Sequence, residues 1–198
     1  MKLFASLLSY RENPIASVMT IPCDGIHVDV MDGTVTELQC HYHLLLPQIK
    51  MLNKPIQVHI MSNASYIFIQ DLIKHKPEVV FIHPCWTDNY DALMFDLKQN
   101  NIQLGVVWND DNCFDLVKTF DQVLFMTVPV GQSGQNMILN RIDKIASLAS
   151  TINKPMWIDG GVSLNTLQML YNLPIEGVIV GSKLEEVAQI LKPKYNTA

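Results

Sequence analysis

The segment from His27 to Gly33, which reads HVDVMDG, carries side chains whose types and spacing could do chemistry. In an extended strand alternate side chains share a face, so His27, Asp29 and Met31 are predicted to point the same way. The two intervening valines then point the other way and suit packing against a helix. An imidazole, a carboxylate and a thioether on one face could bind a divalent metal ion and move a proton.

Two further segments repeat this arrangement. The stretch QVHIM places His59 and Met61 on one face, and Asp159 ends another predicted strand just before Gly160 and Gly161. Taken singly, a strand histidine is usually a hydrogen-bonded core residue, and an aspartate before two glycines usually forms a turn. Gathered at one end of a sheet, two histidines and two aspartates would be costly buried polar groups unless paired or bound to metal. Such a ligand set suits Zn, Fe(II), Mn or Co better than Ca.

Eight runs rich in β-forming residues alternate with stretches of helical periodicity. Strands that alternate with helices favour a parallel sheet with right-handed crossovers, and eight such units predict an α/β fold closed into a (β/α)8 barrel. On periodicity alone, an open doubly wound sheet is an alternative. The predicted strands are Lys2–Leu8, Gly25–Met31, Pro55–Met61, Val79–His83, Gln103–Trp108, Gln122–Val128, Pro155–Asp159 and Gly177–Val180.

The predicted helices lie between these strands, at Ala64–His75, Tyr90–Asn100, Ile138–Ser150, Leu164–Asn172 and Lys183–Leu191. In the first of them we expect Ile67, Leu72 and Ile73 to face the strands. We also expect Lys2–Leu8 to be the buried first strand rather than the core of a signal peptide, since no small-residue cleavage site follows it.

Composition narrows the function classes. The 198 residues predict a single domain, residues 1–198, and the low charged share of 17% beside 48% hydrophobic residues favours an extensive buried core. A net charge of −5 argues against a nucleic-acid partner, and no apolar run is long enough to span a membrane. A homo-oligomer is expected, because oligomers are common among soluble enzymes.

The four cysteines, Cys23, Cys40, Cys85 and Cys113, show neither a CxxC nor a zinc-ribbon spacing. Their scatter predicts reduced thiols that pack in the core of a cytoplasmic protein.

These residues make the sequence resemble the ribulose-phosphate 3-epimerase family, and the resemblance extends over nearly the whole chain. The HVDVMDG segment carries the strongest similarity, and Ala5–Ser9 looks like the family's first strand. The resemblance implies a TIM barrel of the ribulose-phosphate-binding type and an isomerase with one divalent metal ion held by His27, Asp29, His59 and Asp159. It also implies substrate-binding roles for Ser6, Met31, His59, Met61, Met126, Gly131, Gly134, Gly160, Gly161, Gly181 and Ser182.

The mechanism implied by the resemblance is 3-epimerisation of a ketose phosphate, by default between D-ribulose 5-phosphate and D-xylulose 5-phosphate. Asp29 and Asp159 would form the acid/base pair on opposite sides of the substrate. The metal would stabilise the enediolate as a Lewis acid, and no organic cofactor is needed.

The loop after the sixth predicted strand departs from the family. Where the family carries Pro-Gly-Phe-Gly-Gly-Gln, this chain reads PVGQSGQ, with Gly131, Gly134 and Gln135 still in step. Backbone N–H groups of such a loop can hold phosphate without a basic side chain. The change leaves open a ketohexose 6-phosphate or an unphosphorylated sugar as substrate, or a non-catalytic barrel that binds a sugar phosphate.

Two other segments differ as well. Cys40, His41 and His43 lie in a segment that differs from the family's. Solvated histidines are the preferred interpretation, and a second metal site is the minor alternative. His83 stands where the family often has a histidine followed by a glutamate, but here Pro84, Cys85 and Trp86 follow.

Overall fold

The fold is a parallel sheet that closes on itself, as expected from the alternation of strands and helices. The structure, a computed structural model, describes residues 1–10, 12–87, 89–109 and 120–193. Within them, eight parallel strands pair in the order β1–β2–β4–β5–β6–β7–β8–β9, and β9 pairs with β1 to complete the TIM barrel. The strands are β1 (Lys2–Ser6), β2 (Gly25–Asp32), β3 (Gln39–His41), β4 (Ile56–Met61), β5 (Val79–Ile82), β6 (Gln103–Trp108), β7 (Gln122–Met126), β8 (Met156–Asp159) and β9 (Gly177–Val180).

The helices surround this barrel. They are α1 (Pro14–Met19), α2 (Leu46–Lys50), α3 (Tyr66–His75), α4 (Tyr90–Gln99), α5 (Asn140–Ala149), α6 (Leu164–Leu170) and α7 (Leu184–Leu191), with single 3-10 turns at Leu7–Ser9 and Tyr42–Leu45. The five predicted helices are present, with ends shortened by one to two residues. Asn13 caps α1, and Pro14 opens it at the position that tolerates proline best.

The core has two layers, because every barrel strand alternates its side chains. Outward residues such as Val28 and Val30 pack against the helices. Inward residues such as Phe4, Phe81 and Trp157 fill the barrel below its mouth. This alternation turns His27, Asp29, His59 and Asp159 toward the barrel axis, at the carboxyl ends of their strands where TIM-barrel sites lie.

Some predictions need correction. Leu72 is buried and Ile73 packs against the core, but Ile67 is 73% exposed. A residue five positions before Leu72 lies on a different helix face, and Ile69, three positions before it, is buried instead. The first strand ends at Ser6 rather than Leu8, since Leu7–Ser9 turns into a 3-10 helix.

The segment after β2 forms β3, a short strand that the sequence did not predict. It pairs antiparallel with β2, with Met31 opposite Cys40. His43 is buried against Phe68 rather than solvated. The Cys40 thiol donates to the carbonyl of Asp29 over 3.4 Å. Among the described residues, the one group with metal-ligand geometry lies elsewhere, so β3 offers no second site.

The described cysteines differ in oxidation state. Cys23 and Cys40 are free thiols, as predicted. Cys85 is disulfide-bonded, so the prediction of a reduced thiol is wrong there. Spacing rules compare cysteines along the chain and do not detect two sulfurs that the fold brings together. Cys113 lies outside the described residues. In the described part of the chain, every helix is too short or too polar to cross a bilayer.

Candidate active site

Four polar side chains from three strands converge at the mouth of the barrel. One ligand atom from each of His27, Asp29, His59 and Asp159 lies within 4.8 Å of all the others. His27 and Asp29 come from β2, His59 from the neighbouring β4, and Asp159 from β8. The register of the sheet pairs Asp29 with His59 directly, so the shared position of these two side chains follows from strand pairing alone.

The distances between these groups suit a shared metal ion better than direct hydrogen bonds. Oδ1 of Asp29 lies 3.6 Å from Nε2 of His27 and 3.3 Å from Nδ1 of His59. Nε2 of His27 lies 3.9 Å from Oδ2 of Asp159. Ligand atoms placed about 2.1 Å from one tetrahedral ion are separated by about 3.4 Å. The observed spacing therefore leaves room for an ion between the four side chains.

Two buried nitrogens at this point also need a partner. Nε2 of His27 and Nδ1 of His59 have no hydrogen-bond partner among the described residues, although both rings are fully buried. An unpaired buried polar atom costs free energy. The chemistry of the donor set, two imidazoles and two carboxylates, thus fits a borderline divalent ion such as Zn, Fe(II), Mn or Co.

The surroundings shift the pKa values of the two carboxyl groups in opposite directions. Burial raises the pKa of Asp159 to about 6; His27 opposes this shift and the charge of Asp29 adds to it. Burial would also raise the pKa of Asp29, but the imidazoles of His27 and His59 outweigh it and hold that pKa below its usual value. Perturbed carboxyl pKa values of this kind are concentrated at functional sites.

The second ring nitrogen of His27 and of His59 contacts a residue outside the four-residue cluster. Nδ1 of His27 lies 3.4 Å from Oε1 of Gln57, and Nε2 of His59 lies 2.9 Å from Nε2 of His83. Both Gln57 and His83 are buried. Sequence reasoning assigned no role to either residue. Gln57 stands at an inward position of β4, and His83 directly follows β5 on the same inward face. The alternation of side chains along a strand could have indicated both positions.

A cavity of about 340 Å³ opens above the cluster. Asp29, His59 and Asp159 form part of its wall, whereas His27 is buried beneath it. The predicted substrate-binding residues that line it are Ser6, His59, Met61, Met126, Gly131, Gly134, Gly160, Gly161, Gly181 and Ser182. Met31 does not line it; that side chain is buried against Cys40 and Met61.

Residues of the altered loop also line the cavity. Gly131 and Gly134 both have positive φ, and the Gln135 amide donates to the carbonyls of Pro129 and Gln132 over 2.7 and 3.0 Å. The Gln135 side chain therefore closes the loop on itself.

The cavity wall also contains polar residues that sequence reasoning missed. They are Gln132, Ser133, Asn136, Ser163, Asn165 and Lys183. Ser163 caps α6, and Lys183 immediately precedes α7. Gln132 and Ser133 adjoin predicted glycines of the site and Lys183 adjoins Ser182, so adjacency was a signal for these three and not for the others.

Comparison with known proteins agrees with this geometry. The model of the ribulose-phosphate 3 epimerase family matches residues 2–184. The ribulose-phosphate 3-epimerase of Helicobacter pylori strain J99 is 26% identical over 200 residues, which cover 94% of this chain and 91% of that protein. The enzyme of the same name from Escherichia coli K12 is 22% identical, with 85% and 80% covered. Among solved structures, KGPDC from Streptococcus mutans superposes with a TM-score of 0.68 at 14% identity, covering 98% and 96%.

Proposed function

The chain belongs to the ribulose-phosphate 3-epimerase family and is an isomerase acting on carbohydrates, and we propose that it catalyses metal-dependent 3-epimerisation of a ketose phosphate. The default substrate pair is D-ribulose 5-phosphate and D-xylulose 5-phosphate. One observation carries the proposal: two histidines and two aspartates meet within 4.8 Å, and three of the four line a cavity of about 340 Å³.

His27, Asp29, His59 and Asp159 would hold the divalent ion. Bound there, the ion supplies Lewis-acid stabilisation of the negative charge that develops on the substrate oxygens. The two unpartnered nitrogens of His27 and His59 support this assignment, because ligation satisfies both of them.

Asp29 and Asp159 are proposed as the acid/base pair. Epimerisation beside a ketone removes the proton from one face of C3 and delivers another to the opposite face, so two carriers on opposite sides are required. Asp29 lies on β2 and Asp159 on β8, and β1 and β9 separate these strands around the barrel. His27 and His59 would give their inward nitrogens to the ion, which leaves the aspartates as the side chains that could exchange protons with substrate.

The glycine-rich part of the cavity wall is proposed to hold the phosphate. Glycines and a serine line it: Gly131, Gly134, Gly160, Gly161, Gly181 and Ser182. Backbone N–H groups in loops of this kind form anion-binding concavities. Among the described residues of the wall, Lys183 is the cationic side chain, and its Nζ lies 2.9 Å from Oε1 of Glu186. Phosphate recognition would thus rest mainly on the backbone.

Methionines are proposed to cover the reacting carbons. Met61 and Met126 line the cavity next to the metal cluster, and Met31 packs behind Met61. Their thioethers provide a polarizable surface with little affinity for water. Such a cover keeps solvent from protonating the intermediate on the wrong face.

The test combines metal analysis with proton exchange. Purified protein should contain about one divalent ion per chain, lose activity with a chelator and regain it when metal returns. In D2O, NMR should show deuterium entering C3 of one sugar in a panel of ketose 5- and 6-phosphates and their unphosphorylated forms. Metal-loaded protein that leaves the C3 proton of every sugar in place would refute the proposal. Failure of inorganic phosphate to compete would favour the unphosphorylated substrate.

A further inference from the structure

We propose that His83 is a positioning residue that fixes His59 in the tautomer able to bind metal through Nδ1. The inference rests on the proposed function, since it concerns the same metal. It assigns a role to a buried side chain that contacts neither the cavity nor the ion position.

The proton count on the two rings leads to this role. Nδ1 of His59 faces the cluster, 3.3 Å from Oδ1 of Asp29, while Nε2 lies 2.9 Å from Nε2 of His83. A ligating nitrogen carries no proton, so neutral His59 must carry its proton on Nε2. That N–H then donates to Nε2 of His83, which must be unprotonated. One hydrogen bond therefore determines which nitrogen of each ring carries the proton.

The ring of His83 is held firmly enough to act this way. Its face stacks on Trp86 with ring centroids 3.9 Å apart and an interplanar angle of 19°. The carbonyl of His83 accepts hydrogen bonds from the backbone N–H groups of Trp86 and Thr87, both over 3.0 Å. The hydroxyl of Thr87 donates to the same carbonyl over 2.9 Å. The turn after β5 thus fixes both the backbone and the plane of the imidazole.

Packing alone does not account for an imidazole at this position. His83 is 1% exposed, and its Nδ1 has no hydrogen-bond partner in the described part of the chain. A phenyl or isobutyl group would fill the space without burying an unpaired N–H group. The hydrogen bond with His59 offsets part of this free-energy cost. Partners of this kind orient metal-binding histidines and raise their affinity for metal, and carboxylates or carbonyls usually fill the role.

Metal affinity provides the test, measured by titrating metal-stripped protein with Zn²⁺ in competition with a chromophoric chelator. His83→Phe keeps an aromatic ring on Trp86 but removes the acceptor, and should weaken Zn²⁺ binding by about 10- to 100-fold. His83→Gln places an amide oxygen at similar reach and should recover most of that loss. His43→Phe is the matched control: it replaces another buried histidine, which packs against Phe68, and should bind Zn²⁺ as the wild type does.

The outcomes separate the two proposals. Wild-type protein without Zn²⁺ affinity contradicts the proposed function itself. Folded His83→Phe protein with wild-type affinity overturns the role of His83 alone. If His83→Phe does not fold, ¹⁵N NMR of the Zn²⁺-loaded wild type decides. A scalar coupling through the hydrogen bond between Nε2 of His59 and Nε2 of His83 supports the inference, and the absence of that coupling refutes it.

Discussion

The hydroxyl of Ser6 donates a hydrogen bond to Oδ2 of Asp29 over 3.2 Å, while Oδ1 of the same carboxylate faces His27 and His59. The two oxygens of Asp29 thus have separate environments. One faces the His/Asp cluster of the proposed metal site, and the other is held by a serine that lines the cavity.

Ser6→Ala tests this division. Loss of a hydrogen bond to a charged group costs about 1.5–3 kcal/mol, so kcat/KM should fall by about 10- to 100-fold. Zn²⁺ affinity should stay within about threefold of the wild type, because Oδ1 is untouched. Ser17→Ala on α1, whose hydroxyl bonds the carbonyl of Asn13, should change neither quantity. Loss of metal binding in Ser6→Ala would show that both oxygens belong to the metal site.

Gly161 is predicted to set the width of the cavity beside the glycines proposed to bind phosphate. It has a φ of 64°, and a Cβ there would lie 2.6 Å from the Cα of Met137 in the opposing loop. Gly161→Ala should therefore push that loop aside and raise KM about 10-fold or more. Gly134→Ala has similar backbone strain, with a φ of 77°, but a Cβ there meets no atom within 4 Å. Equal KM values in steady-state assays of the two variants would contradict this explanation.

Arg141 is predicted to fix the chain at the carboxyl ends of β6 and β7, next to the cavity. Its guanidinium donates to the carbonyls of Met126 over 2.7 Å and of Val128 and Asn109 over 3.3 Å. Arg141→Met should leave these carbonyls without that donor and lower the free energy of unfolding by about 1–3 kcal/mol. Because Met126 and Val128 line the cavity, KM should rise as well. Urea titration measures the first effect and steady-state kinetics the second. An unchanged KM would show that Arg141 contributes to stability and not to the shape of the cavity.

Asp24 is predicted to stabilise the bottom of the barrel. Its carboxylate accepts from the backbone N–H of Leu3 over 2.7 Å and pairs with Nζ of Lys192 at 2.5 Å. Asp24→Asn should lower the free energy of unfolding by about 1–3 kcal/mol. The control is Asp71→Asn, which removes an exposed pair with Lys74 and should cost less than about 0.5 kcal/mol. Similar losses in both variants, measured by urea denaturation, would contradict the prediction.

The barrel and the cluster of two histidines and two aspartates could be predicted because strand alternation is a local property. A period of two along β2 and β4 turns His27, Asp29 and His59 inward whatever the loops do. The family resemblance then assigned each residue a chemical role.

The rest depends on contacts between segments distant in sequence. The hydrogen bond between His59 and His83 requires the register of β4 against β5. Met31 does not line the cavity, because it is buried beside Cys40 of β3. The disulfide at Cys85 likewise depends on a partner brought close by folding. Short elements such as β3 carry too few residues to show a period.

The two-aspartate mechanism is the central claim, and solvent exchange at C3 tests it most directly. Asp29→Asn and Asp159→Asn should each slow deuterium incorporation from D2O into the C3 position by about 100- to 10,000-fold or more. Asp91→Asn on the exposed surface should exchange at the wild-type rate. If either Asp29→Asn or Asp159→Asn, folded and supplied with metal, exchanged the C3 proton at a near-normal rate, the proposed mechanism would be contradicted.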